Sequence, residues 1–155
     1  MNEQTSKHSD IIPTRIVESP ARRHYLPLWV RKALYPLELK IHAVRQRRLD
    51  DISRTAMIRV LDVVAARLPP VKKHLFYGAS GIHPRHLVTW YIFETDLDLN
   101  TAERNGLMSE LDALTRSELV RHGYPRKAVP AIHVTFTSEE DVQKKTGGNY
   151  FLYFK

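Results

Sequence analysis

The stretch KHLFYGASGIHPRHLVTWYIFET, residues 73–95, decides the fold, because the spacing of its apolar side chains changes from that of a helix to that of a strand. Its two flanks, KHLFYGAS and HLVTWYIFET, are rich in aromatic and β-branched residues, which suit a pleated, half-buried surface. Between them lies GIHPR, with a Gly and a Pro that favour a change of direction, so the stretch predicts a β-hairpin. Trp90 and Ile92 should share one face of its second strand.

Working outward towards the C-terminus, TAERNGLMSELDALTRSELVRHGYP follows Asn100. Asn100 with Glu103 three residues on reads as a helix cap, while Leu107, Leu111, Leu114 and Leu119 recur as one buried stripe. Arg121 and His122 suit the negative end of the helix dipole, and Gly123 with Pro125 closes the helix. AIHVTFT then alternates Ile132, Val134 and Phe136 with polar residues and predicts a strand. Ser138 and Asp141 suit the cap of a single helical turn, Gly147-Gly148-Asn149 a reversal, and YFLYF a final strand.

Towards the N-terminus, Pro69-Pro70 ends a region in which Ile41, Val44, Leu49, Ile52, Ala56, Val60, Val63 and Val64 are spaced as a core-facing helical stripe. Lys40, Arg45, Arg47, Arg48 and Arg54 occupy the other side. LPLWVRKALYP predicts a shorter helix before it, closed at Pro36. Residues 1–24 read as a flexible polar arm broken by Pro13 and Pro20. The expected organisation is therefore an arm (1–24), a basic helical region (25–70) and an α+β domain (71–155). That domain is read as a four-stranded, mainly antiparallel sheet with one long helix on a face.

Charge is unevenly placed. Of the 24 Lys and Arg residues, 13 fall in residues 1–70 against 7 acids, whereas residues 71–155 carry 11 against 10. Arg22, Arg23, Arg31, Lys32, Lys40, Arg45, Arg47 and Arg48 form a block interrupted by a single acid, Glu38. Such a block attracts anionic partners, whether nucleic acid, anionic lipid or an acidic protein face. These eight residues are the candidate partner-binding set.

The chemistry the chain offers is limited. It has no Cys, which removes disulfides, thiolate nucleophiles and Cys-ligated zinc. His74, His83 and His86 fall close together, but turn histidines explain them without a metal. Ser80 lies in GASG, which is not a nucleophile elbow, and Gly147-Gly148 lacks the Lys-Ser/Thr of a phosphate loop. The acidic groups Glu94-Asp96-Asp98 and Glu139-Glu140-Asp141 sit where helix starts favour carboxylates. No catalytic residue, metal or cofactor is assigned, and the expected class is a binding protein rather than an enzyme. No apolar run is long enough to span a membrane, MNEQTSKHSD lacks the basic-then-apolar order of a signal peptide, and a cytoplasmic location is expected.

GYPRKAVPAIHVTFTSEEDVQKKTGGNYFLYFK, preceded by a helix and WYIFETD, resembles the C-terminal half of small bacterial immunity-like proteins of contact-dependent or polymorphic toxin systems. The resemblance covers residues 87–155 and implies a non-catalytic protein that binds a toxin domain and blocks its active site. A basic inhibitor of this kind would need an acidic face on its toxin, or would bind away from the catalytic groove. The alternative expectation is a nucleic-acid-binding protein that contacts phosphates through the basic helices of residues 28–68.

Overall fold

A computed structural model describes residues 28–155 of the chain. Helix α1 (Leu28–Val64) is followed by strand β1 (Lys73–Tyr77), a 3-10 turn (Pro84–His86) and strand β2 (Val88–Phe93). Helices α2 (Asp96–Arg104) and α3 (Leu107–Arg121), a second 3-10 turn (Val129–Ala131) and strand β3 (His133–Ser138) come next. Helices α4 (Glu139–Thr146) and α5 (Tyr150–Tyr153) end the chain. The class is α+β, as the sequence predicts, but the sheet has three strands rather than four among the described residues.

β1 and β2 pair antiparallel, with Leu75 opposite Trp90, as the hairpin reading requires. β3 pairs with β2 in parallel, Phe136 beside Tyr91, which makes the sheet mixed rather than mainly antiparallel. A parallel neighbour needs a long crossover, and α2 with α3 supplies it between Phe93 and His133. The predicted single helix after Asn100 is these two helices instead. Thr95 caps the first, its side chain accepting from the Asp98 amide while the Asp98 carboxylate accepts from the Thr95 amide, and Asn100 lies inside α2. A break at Asn105–Gly106 then redirects the chain into α3.

The two faces of the sheet are covered differently. Thr89, Tyr91 and Phe93 point towards α1 and α3 and are fully buried with Met57, Val60, Leu111 and Leu119. Tyr91 spans this layer: its hydroxyl lies 2.6 Å from the Thr115 hydroxyl and donates to the Met57 sulfur at 3.1 Å. Burial pushes its phenol up to about 12. The second half of α1 thus belongs to the same core as the strands, and the packing runs across Pro69-Pro70.

The opposite face carries Trp90, Tyr77 and Thr137, and here the aromatic tail corrects the sequence reading. YFLYF is not a fourth strand. Asn149 accepts from the Leu152 amide at 3.1 Å and starts a single helical turn, which lays Phe154 over Trp90 with ring centroids 4.6 Å apart. The Tyr153 hydroxyl reaches that of Thr137 at 2.7 Å. Aromatic side chains alone do not separate a strand from a helical lid: here Tyr153 and Phe154 are half-buried against the sheet while Phe151 is exposed.

α1 also departs from expectation. It continues through Pro36, which was expected to end a helix. The missing N–H leaves one carbonyl of the preceding turn without an intrahelical donor, but this part of α1 is exposed, so water satisfies it.

Candidate functional site

The first half of α1 stands clear of the body of the protein. From Lys32 onwards, its first buried residue among those described is Leu49, and below it Ser53, Ala56, Met57, Val60 and Val64 face the core. Ile41 and Val44, expected in that stripe, are instead 56% and 67% exposed, and Val63 is exposed as well. The reason is angular. Leu34, Leu37, Ile41 and Val44 recur at intervals of three and four, and the same face continues into exposed Arg48, Asp51 and Thr55. The four apolar side chains therefore lie on the side of α1 turned away from the core.

Tyr35 and Leu39 occupy the other side, in line with the buried face, but beyond the point where the body ends, and they too are exposed. From Leu28 to Ile41 the helix extends about 20 Å at 1.5 Å per residue.

Support for α1 begins at His42 and Gln46, which hold the turn between β1 and β2. The His42 Nδ1 lies 3.0 Å from the Gly81 carbonyl. The Gln46 side chain accepts from the Gly81 amide at 2.6 Å and donates to the Gly78 carbonyl at 3.2 Å and to Asp50 at 2.8 Å. Gly81 is required by the close approach: a Cβ there would sit 2.5 Å from the His42 carbonyl oxygen. Replacing Gln46 with Ala is expected to cost about 1–2 kcal/mol and to speed exchange of the Gly81 amide, read by thermal melting and hydrogen exchange. An unchanged Gly81 exchange rate would show that the turn is held by something else.

Of the eight predicted partner-binding residues, Arg22 and Arg23 lie outside the described residues, as does the side chain of Arg31. Lys32, Lys40, Arg45, Arg47 and Arg48 are all exposed on the first 21 residues of α1. Among the described residues none of these five forms an ion pair, whereas ion pairs gather from Arg59 onwards. The turn beside them adds Arg85, His83 and His86. Partial loss of water, with Arg85, His86 and Arg45 nearby, holds the His83 imidazole below its ordinary value.

The other end of the sheet is internally compensated. Lys144 bridges Asp96 and Glu140, Lys145 pairs with Asp141, and Lys73 with Glu139. Ser138 donates to Asp96, Tyr150 to Glu139 and Tyr153 to Asp141, which ties α5 to the start of α4. These contacts hold all four carboxyls below their usual values: Asp96 chiefly through Ser138, Glu139 through Tyr150, Glu140 through Lys144 and Asp141 through Tyr153. A carboxyl depressed in the folded state adds stability above its unfolded pKa and loses it as pH falls. The melting midpoint is therefore expected to drop as pH is lowered from about 5 to about 3. An Asp96→Asn, Glu140→Gln chain should show a flatter profile across that range.

His83 and His86 are neighbours, with ring centroids 5.7 Å apart. Among the described residues, no group of three or more His, Asp or Glu side chains is placed to hold a metal ion. The Ser80 hydroxyl is buried without a hydrogen-bond partner, so no base is set against it. No described helix is long and apolar enough to cross a membrane.

Comparison with family models, curated proteins and solved structures finds no match to this chain. The surface is thus defined by its own geometry: cations legible in the sequence, and an apolar stripe that was not. The stripe had a signal, since Leu34, Leu37, Ile41 and Val44 fall on the side away from Ser53, Val60 and Val64 when a single helix is drawn through Pro36.

Proposed function

We propose that the protein is a non-catalytic protein-binding module that engages its partner through the projecting half of α1. The observation that carries this reading is the coincidence, on one exposed face of α1, of Leu34, Leu37, Ile41 and Val44 with Lys40, Arg45, Arg47 and Arg48. An apolar row that the described residues leave exposed is a docking surface for another molecule, and the cations around it select an acidic one. The resemblance of residues 87–155 to immunity-like proteins makes a toxin domain with an acidic face the first partner to test.

The nucleic-acid reading draws on the same cations, but phosphate contacts give no use to the apolar row. Anisotropy titrations with duplex DNA and single-stranded RNA at about 150 mM salt are expected to show no specific binding. Submicromolar, sequence-selective binding there would overturn the protein-binding reading.

The positive test is lysine-directed cross-linking of tagged full chain to proteins captured from a lysate of its source, read by mass spectrometry. Cross-links are expected at Lys32 and Lys40, and Arg45→Gln, Arg47→Gln, Arg48→Gln should remove them while moving the melting midpoint by less than about 2 °C. Cross-links confined to Lys127, Lys144 or Lys145 would place the docking surface elsewhere.

A further inference from the structure

We infer that the projecting half of α1 is one strand of a two-stranded coiled coil whose other strand is an acidic amphipathic helix of a different protein. This rests on the protein-binding reading and adds the chemistry and shape of the partner. The intervals three, four and three in Leu34, Leu37, Ile41 and Val44 are those of alternating a and d core positions, with Leu34 and Ile41 at a and Leu37 and Val44 at d. All four side chains are exposed, between 38% for Leu34 and 67% for Val44. Arg48 takes the next a position and ends the seam.

The flanking positions decide what can lie against it. Lys40 and Arg47 stand at g positions, Arg45 at an e position, and Glu38 is the one acid at an e position. A second copy fits poorly. In a parallel pair Lys40 would face Arg45 of the other chain, and in an antiparallel pair the g residues Lys40 and Arg47 would face their own kind. Glu at the e and g positions of a different helix would turn the contacts of Lys40, Arg45 and Arg47 into attractions, leaving Glu38 as the one repelled residue.

A lipid surface fits poorly too. An interfacial helix offers one apolar face to the membrane. Here Tyr35 and Leu39 are exposed on the side opposite the Leu34–Val44 seam, so a flat surface would leave one of the two apolar sets in water. The cations beside the seam, Lys40, Arg45 and Arg47, in turn match an acidic helix, while Tyr35 and Leu39 fall at the outer b and f positions and are no part of this seam.

The probe is a synthetic peptide of about three heptads with Leu at a and d and Glu at e and g, titrated into the full chain. Binding is expected at one peptide per chain, with a rise in helical circular dichroism. Ile41→Glu with Val44→Glu should weaken it at least tenfold, as should Lys40→Glu with Arg45→Glu and Arg47→Glu, whereas Arg126→Gln should leave it unchanged. These substitutions are on exposed positions, so the melting midpoint of the body serves as the control for folding.

Absence of peptide binding, or equal binding by the seam variant, overturns the inference. So does self-association of the chain alone in sedimentation, or binding to phosphatidylcholine vesicles with about one quarter phosphatidylglycerol that exceeds binding to the peptide. Should the Arg→Gln chain lose its cross-linked protein while the peptide binds neither chain, the protein-binding reading stands and the acidic helical partner falls.

Discussion

Replacing Gly78 with Ala is expected to cost about 3 kcal/mol or more, the largest loss of any glycine-to-alanine change in this chain. Gly78 follows β1 with φ at +126°, a backbone conformation that a side chain makes strained. A Cβ there would lie 1.8 Å from the His86 carbonyl oxygen and 2.9 Å from its carbon. Both obstacles are main chain, so no rotamer change relieves them, and the 3-10 turn of Pro84–His86 must move. That turn in turn accepts a hydrogen bond from Tyr124 through the Pro84 carbonyl at 2.6 Å, which anchors it to the loop after α3. Gly106→Ala is the matched control: its φ is +81° but no atom lies within 4 Å of the new Cβ, so only the local backbone cost of about 1 kcal/mol remains. At about 2–4 °C per kcal/mol the two variants should separate by several degrees in their melting midpoints. Equal midpoints would show that the close approach of Gly78 to His86 is not what fixes the turn.

Ending the chain after Gly148 should remove about 3 kcal/mol and leave a cooperative unfolding transition. The deleted segment contributes the Phe154 and Tyr153 contacts with Trp90, the Tyr153–Thr137 hydrogen bond and the Tyr150 contact with Lys73. Each aromatic pair adds about 0.5–1.5 kcal/mol beyond its buried area, and ordering seven residues offsets part of the total. Tyr91, Met57 and Leu111 lie on the other face and keep their packing. Trp90 fluorescence should shift to the red as the ring meets water. A non-cooperative transition would mean that the lid, not the α1–α3 layer, holds the sheet together; an unchanged midpoint and emission would mean that α5 does not cover Trp90 in solution.

The contrast between these two faces explains what could be read from residues alone. β1 and β2 were legible because KHLFY and VTWYIF sit on either side of a Gly-rich, Pro-containing turn, and local pattern suffices for a hairpin. Ser138 as the cap of α4 was legible for the same reason, with the Asp141 amide 2.9 Å from its hydroxyl. The tail was not. Tyr150, Tyr153 and Phe154 are placed by what lies beneath them, Trp90 and Thr137, and sequence order does not contain that contact. Pro36 misled in the opposite direction: its cost to a helix is real, yet an exposed helix hydrates the freed carbonyl and continues. The candidate surface divided in the same way. Lys40, Arg45, Arg47 and Arg48 read as a charge block, but the spacing of Ile41 and Val44 reads as core, because periodicity does not show where the body stops.

The place of β2 between a neighbour that precedes it and one that arrives after two helices bears on how the chain acquires its structure. β1 meets β2 across a short separation, whereas His133–Ser138 joins only after some 40 intervening residues have found their positions, in line with the parallel register of Val88 beside His133. During synthesis the hairpin should therefore be the earliest nucleus, with α1 settling on Tyr91 before β3 exists. Amides of Trp90 and Ile92, which face β1, should gain protection first in pulse-labelled refolding, and those of Tyr91, which faces β3, Thr135 and Thr137 last.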